Sequence, residues 1–94
     1  MYSVQLSKQA EKMIRQLPAF VVKGFQDKFL QLANNPYEMA GVDTIKNPPS
    51  IGIPEKIAYR IRVENYRATY VIKDDVIKIY IYEIEHRSKV YRKK

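Results

Sequence analysis

Residues 56–85 read KIAYRIRVENYRATYVIKDDVIKIYIYEIE, and the period of this stretch decides the fold. Apolar and polar side chains alternate. Tyr59, Ile61 and Val63 fall on one face of an extended chain, and Arg60 and Arg62 fall on the other. Glu64-Asn65 is a plausible turn, and YRATYVI makes the next strand. Lys73-Asp74-Asp75 supplies a second turn. VIKIYIYEIE, rich in β-branched and aromatic residues, makes a long third strand. Three strands with two short connections predict an antiparallel meander.

Outward toward the N-terminus the period changes. YSVQL alternates at Tyr2, Val4 and Leu6 and predicts a short first strand, and Ser7 is placed to cap a helix. Ala10, Met13, Ile14 and Leu17 then recur at helical spacing, with Glu11 four residues before Arg15. Pro18 ends this helix or starts the next. Val22, Phe25, Phe29, Leu32 and Ala33 fall on one face of a second helix, and Asn34-Asn35-Pro36 stops it. Residues 36–55 have no clear period and hold four of the five prolines. They contain either a short element around Met39–Ile45 or a functional loop. The expected fold is α+β, a single domain over residues 1–94. An N-terminal strand and a helical hairpin pack on one face of a small, mainly antiparallel sheet.

Composition narrows the chemistry. The chain has 94 residues, 46% of them hydrophobic, enough for a globular core. It has no cysteine, which excludes disulfides, thiolate metal sites and a cysteine nucleophile. No apolar run is long enough to span a bilayer and no signal-peptide pattern opens the chain, so a cytoplasmic protein is expected. The formal net charge of +7 predicts attraction to a polyanion, against the plain alternative of a basic surface that aids solubility. The basic residues gather in the strand-rich half, which favours nucleic acid or an acidic protein over a membrane surface.

With one sheet face on the helices, the face carrying Arg60 and Arg62 is expected to be open, basic and concave. Arg67 and Arg87 add to it. Tyr59, Tyr66, Tyr70, Tyr80, Tyr82 and Tyr91 interleave, although tyrosine also serves strands simply by packing. Forked guanidinium donors grip phosphate and tyrosine rings stack on bases, a combination suited to single-stranded RNA. RNA can be cut without a metal when the ribose 2′-OH attacks the adjacent phosphorus. That reaction needs a base, an acid and cations around the phosphorane. His86, the only histidine, could move the proton, although a lone histidine is more often structural. Gly24, Gly41 and Gly52 are scattered and form no phosphate loop. One histidine and no cysteine argue against a transition-metal site. Asp74-Asp75 reads better as a turn than as a cation site, and Ser88 has no triad context.

The segments YRIRVENYRATYVI (59–72) and HRSKVY (86–91), in this order and at this length and charge, resemble the RelE/ParE superfamily of bacterial and archaeal type II toxins. The resemblance covers most of the chain. It implies a RelE-like fold and two branches of activity. RelE-type members are endoribonucleases that cut mRNA, commonly on the ribosome, without a metal or other cofactor. ParE-type members poison DNA gyrase by protein contact. Either kind is held inactive by a cognate antitoxin in a hetero-oligomer. By position, Arg60 and Arg62 match a pair of basic strand residues that bind phosphate. Some members have lysines there, one proposed as general base. Arginine stays protonated, so the proton-transfer role moves toward His86. Arg67 matches the phosphate ligand of the YR strand start, and Arg87 and Tyr91 match the closing segment, where the tyrosine orients the substrate. The expected catalytic set is therefore His86, Arg87, Arg67 and Tyr91, with Arg60 and Arg62 binding RNA phosphate. The expected partners are the antitoxin, mRNA and the ribosome. Glu85 stands where some members have arginine. ENYR replaces the frequent GDYR, and loss of that glycine implies a different turn. The alternatives are a gyrase-binding toxin and a non-catalytic RNA- or ribosome-binding protein.

Overall fold

The computed structural model describes residues 1–37, 43–46 and 57–86. Strand β1 (Ser3–Leu6) is followed by helices α1 (Lys8–Gln16) and α2 (Ala19–Asn34), strands β2 (Asp43–Lys46), β3 (Ile57–Val63) and β4 (Tyr66–Lys73), a 3₁₀ turn (Asp74–Val76) and strand β5 (Lys78–His86). The five strands form one sheet in the order β1-β5-β4-β3-β2. Among the described strands only the β1–β5 pair is parallel, and the expected meander is β3-β4-β5. The α+β expectation holds, with β2 added. The irregular stretch does contain an element, a strand at Asp43–Lys46 whose backbone pairs with Ile57–Arg60.

Each helix forms for a local reason. The Ser7 hydroxyl accepts the Ala10 N–H at 3.1 Å, capping α1, and donates to the Tyr82 carbonyl at 2.6 Å. Pro18 sits at the N-cap of α2, where its missing N–H costs nothing. The buried stripe of α2 is Val21, Phe25, Phe29, Leu32 and Ala33. Val22, expected inside, is only half-buried: the stripe runs through Val21, four residues before Phe25. Val21, Phe25, Phe29 and Leu32 share one core with Ile61 and Val63 of β3, Ala68 and Tyr70 of β4, and Ile79, Ile81 and Ile84 of β5.

The β3–β4 connection is Glu64-Asn65, as expected. Glu64 itself takes left-handed backbone (φ 55°), the conformation glycine adopts without strain. The connection between β3 and β4 is thus a tight two-residue turn whose conformational cost falls on Glu64.

Candidate functional site

Register fixes which side chains share the sheet face away from the helices, here called the far face. Ile61 pairs with Ala68 and Ala68 with Ile84, all buried against the helices. Their strand neighbours point the other way. Two cross-strand rows result on the far face. In the first, Arg60 pairs with Thr69 and Thr69 with Glu83; in the second, Arg62 pairs with Arg67 and Arg67 with Glu85. The three described arginines of the expected site thus come together. Arg62 is exposed, Arg60 is half-buried and Arg67 is 5% exposed. The Arg67 Nε is buried with no hydrogen-bond partner among the described residues. The face is not open throughout, as had been expected. Ala58 and Val71, also on it, are fully buried.

A β-bulge in β5 governs the rest of the site. Thr69 pairs with Glu83 and Tyr70 with Ile81, so Tyr82 is an extra residue. Uninterrupted alternation from Ile79 and Ile81 would send Glu83 and Glu85 inward and His86 to the arginines. The bulge reverses this, and Ile84 and His86 join the helix side while Glu83 and Glu85 join the far face. His86 pairs with Tyr66, and its ring meets the Tyr66 ring edge-to-face at 4.8 Å. The structure thus does not bring His86 to Arg60, Arg62 and Arg67. Arg87 and Tyr91 lie outside the described residues.

Glu83, which sequence reasoning passed over, shares the far-face row with Thr69 and Arg60. Burial and the neighbouring Glu85 carboxylate push its carboxyl above the ordinary carboxylate range. The signal was present in the spacing Ile79, Ile81, Ile84, where a step of two becomes a step of three. Of the tyrosines, Tyr59 and Tyr70 stack on each other at 5.6 Å on the helix side, and burial pushes the Tyr70 phenol well above its usual range. Tyr80 and Tyr82 meet edge-to-face at 4.7 Å. Among the described residues, no three His, Cys, Asp or Glu side chains gather as a metal site, and no helix is long and apolar enough to cross a membrane.

A family model described as ParE toxin of type II toxin-antitoxin system, parDE, matches residues 4–91. No curated protein matches the chain. Solved structures do. The archaeal RelE-RelB complex from Pyrococcus horikoshii OT3 contains a chain 26% identical, with TM-score 0.73, over 94% of this chain and 97% of that one. The intact E. coli RelBE toxin-antitoxin complex matches at 19% identity and TM-score 0.69, over 92% of this chain and 96% of that one. The toxin-antitoxin complex RelBE2 from Mycobacterium tuberculosis matches at 21% identity and TM-score 0.69, over 92% and 98%. The likenesses under 25% identity establish the shared fold.

Proposed function

The chain belongs to the ParE toxin family of type II toxin–antitoxin systems, within the RelE/ParE superfamily, and from that premise we propose that it is a metal-independent endoribonuclease that cleaves mRNA on the ribosome. The carrying observation is the pair of arginine rows on the far face, with Arg67 buried and its Nε unbonded among the described residues. A buried guanidinium calls for an anion, and a phosphodiester supplies one with oxygens spaced for forked donors. Arg60, Arg62 and Arg67 hold the scissile phosphate and offset the charge that grows on its oxygens as the 2′-OH attacks. Arg87 and Tyr91 complete the grip and orient the base, as the family pattern implies.

Proton transfer is the step on which sequence and register diverge. His86 lies on the helix side against Tyr66. Glu83 shares a row with Arg60, and burial and Glu85 raise its carboxyl, which makes it a better proton acceptor than an ordinary carboxylate. Glu83 is therefore assigned the proton taken from the 2′-OH, and His86 a positioning role behind Tyr66. As a type II toxin the chain is held by a cognate antitoxin in a hetero-oligomer, as the RelE chains above are by RelB. A second reading, a toxin that binds DNA gyrase, is favoured by the ParE description of the matching family model.

Primer extension on mRNA after induction decides between them. Arg67→Ala is expected to lose about a hundredfold or more of the cleavage. Glu83→Gln should lose a comparable factor and His86→Ala much less, each remaining folded by circular dichroism. Discrete cuts absent from the parent, together with inhibition of purified gyrase, would move the assignment to the gyrase reading. Parental cleavage by Arg67→Ala would remove the arginine site altogether.

A further inference from the structure

The bulge in β5 is held from outside its own ladder. Along a regular strand successive carbonyls point to opposite sides, yet those of Ile81 and Tyr82 both meet Ser7. The Ser7 N–H donates to the Ile81 carbonyl at 2.9 Å, and the Ser7 hydroxyl donates to the Tyr82 carbonyl at 2.6 Å. The same hydroxyl accepts the Ala10 N–H at 3.1 Å, so the first turn of α1 and the bulge share one oxygen. Two residues on, Gln9 takes both backbone groups of Ile84. Its Nε2 donates to the Ile84 carbonyl and its Oε1 accepts the Ile84 N–H, each at 3.0 Å. The Tyr82 carbonyl belongs to the peptide plane just before Glu83, and the Ile84 N–H to the plane just after it. Both planes that flank Glu83 are therefore fixed by side chains at the start of α1.

We propose that Ser7 and Gln9 are positioning residues of the reaction, which hold the two peptide planes around Glu83 and so aim its carboxylate along the row that contains Arg60. The proposal rests on the ribonuclease reading above and deepens it. The apolar spacing Ile79, Ile81, Ile84 selects the register of the bulge, since all three are fully buried. It does not set how the strand bends there, because a bulged residue is unpaired in the ladder. A general base must come within about 2.6–3.2 Å of the proton it takes, and a misplacement of about 1 Å costs as much as about a hundredfold. The Gln9 bonds alone answer the burial of Ile84. The Ser7 bond to the half-buried Tyr82 goes beyond that need and fixes the other plane.

Single-turnover cleavage of a short mRNA on programmed ribosomes tests this with the full chain, read as a maximal rate and a half-saturating toxin concentration. Gln9→Met fills similar space without either bond. Ser7→Asp keeps an oxygen to cap α1 but has no hydroxyl proton for Tyr82. Each, folded by circular dichroism, is expected to lower the maximal rate about tenfold and leave half-saturation within about twofold, because the arginine rows are untouched. Ser7→Thr, which keeps the hydroxyl, should recover most of the rate. In a Glu83→Gln background the first two changes should cost no more than about twofold, because no base is left to aim. Equal losses in both backgrounds would make the bonds merely stabilising and overturn the proposal. Parental rates for Gln9→Met and Ser7→Asp beside a slow Glu83→Gln would also overturn it, with the ribonuclease reading left standing. If Glu83→Gln cleaves as the parent does, the proton assignment and the proposal fall together while the arginine site remains. If the parent cuts no mRNA, the ribonuclease reading fails and takes the proposal with it.

Discussion

At Gly24 helix α2 comes close to the sheet. A Cβ added there would lie 2.6 Å from Cγ1 of Val63, closer than two carbon atoms can approach. Glycine in a helix interior costs about 1 kcal/mol relative to alanine, so the position carries an unfavourable residue in exchange for contact between α2 and β3. Gly24→Ala would recover that amount and meet an overpacking cost of about 1–3 kcal/mol. The expected net effect is destabilisation by about 1 kcal/mol. In a Val63→Ala background the same change should turn stabilising, because the obstructing methyl is gone. A double-mutant cycle on urea midpoints reads this, and equal effects in both backgrounds would show that the two positions do not meet. The alternation of residues 56–63 already put Val63 inside and Arg60 and Arg62 outside. It could not reveal the distance between helix and sheet, because close approach is a property of two segments more than thirty residues apart. The same limit explains Val21 and Val22. Both fit a helical stripe, and only the direction from which the sheet meets the helix chooses between them.

Strand β5 shows what an element adds beyond its residues. Its existence and length were legible from VIKIYIYEIE, and its inward residues to Ile81 were too. The bulge at Tyr82 left only one trace, the step of three from Ile81 to Ile84, and that single extra residue decides whether Glu83 or His86 faces the arginines. Helix α1 secures the strand just beyond the bulge. β1 pairs with β5 only as far as Ile81, so the next backbone groups on that edge lack a strand partner. The Gln9 side chain replaces one: its Nε2 donates to the Ile84 carbonyl at 3.0 Å, and its Oε1 accepts the Ile84 N–H at 3.0 Å. An exposed glutamine on the first turn of a helix gives no sign in the sequence of such a role. Since Ile84 is fully buried, Gln9→Ala leaves a donor and an acceptor poorly hydrated. It should cost about 2 kcal/mol. Urea unfolding would show the midpoint falling with the slope unchanged, and hydrogen exchange would show faster exchange at the Ile84 amide. Unchanged protection at that amide would mean that the glutamine is not its partner.

At the scale of the whole molecule, the fold closes only when distant parts of the chain meet. β1 and β5, the first and last described strands, form the parallel pair, and this join depends on contacts of high sequence separation. Asp74, in the β4–β5 turn, binds the closure together. It accepts the Tyr2 hydroxyl at 2.6 Å and the Tyr37 hydroxyl at 2.5 Å, linking the start of β1, the segment after α2 and the turn. Both bonds favour the Asp74 carboxylate and hold its pKa below the ordinary value, Tyr2 contributing most. The Tyr37 phenol is pushed up to about 12, chiefly by its bond to Asp74. The two shifts have opposite consequences. On the acid side the unfolded chain binds a proton near the usual aspartate pKa of about 3.9, before the folded chain does. The stabilisation from Asp74 is therefore present above that pH and lost as pH falls through the lower folded value. On the alkaline side the unfolded Tyr37 releases its proton near pH 10, while the folded one keeps it to about 12. That stabilisation is full below about pH 10 and lost as pH rises toward 12. All three groups are solvent-accessible, so the size of the effect is screened while its sign is fixed. Asp74→Asn removes the carboxylate that causes both shifts. The stability difference between parent and Asp74→Asn should be greatest across the neutral range and shrink at both extremes. Urea midpoints measured from pH 3 to pH 11 would trace it, and a difference that stayed constant across that range would separate Asp74 from the closure of the sheet.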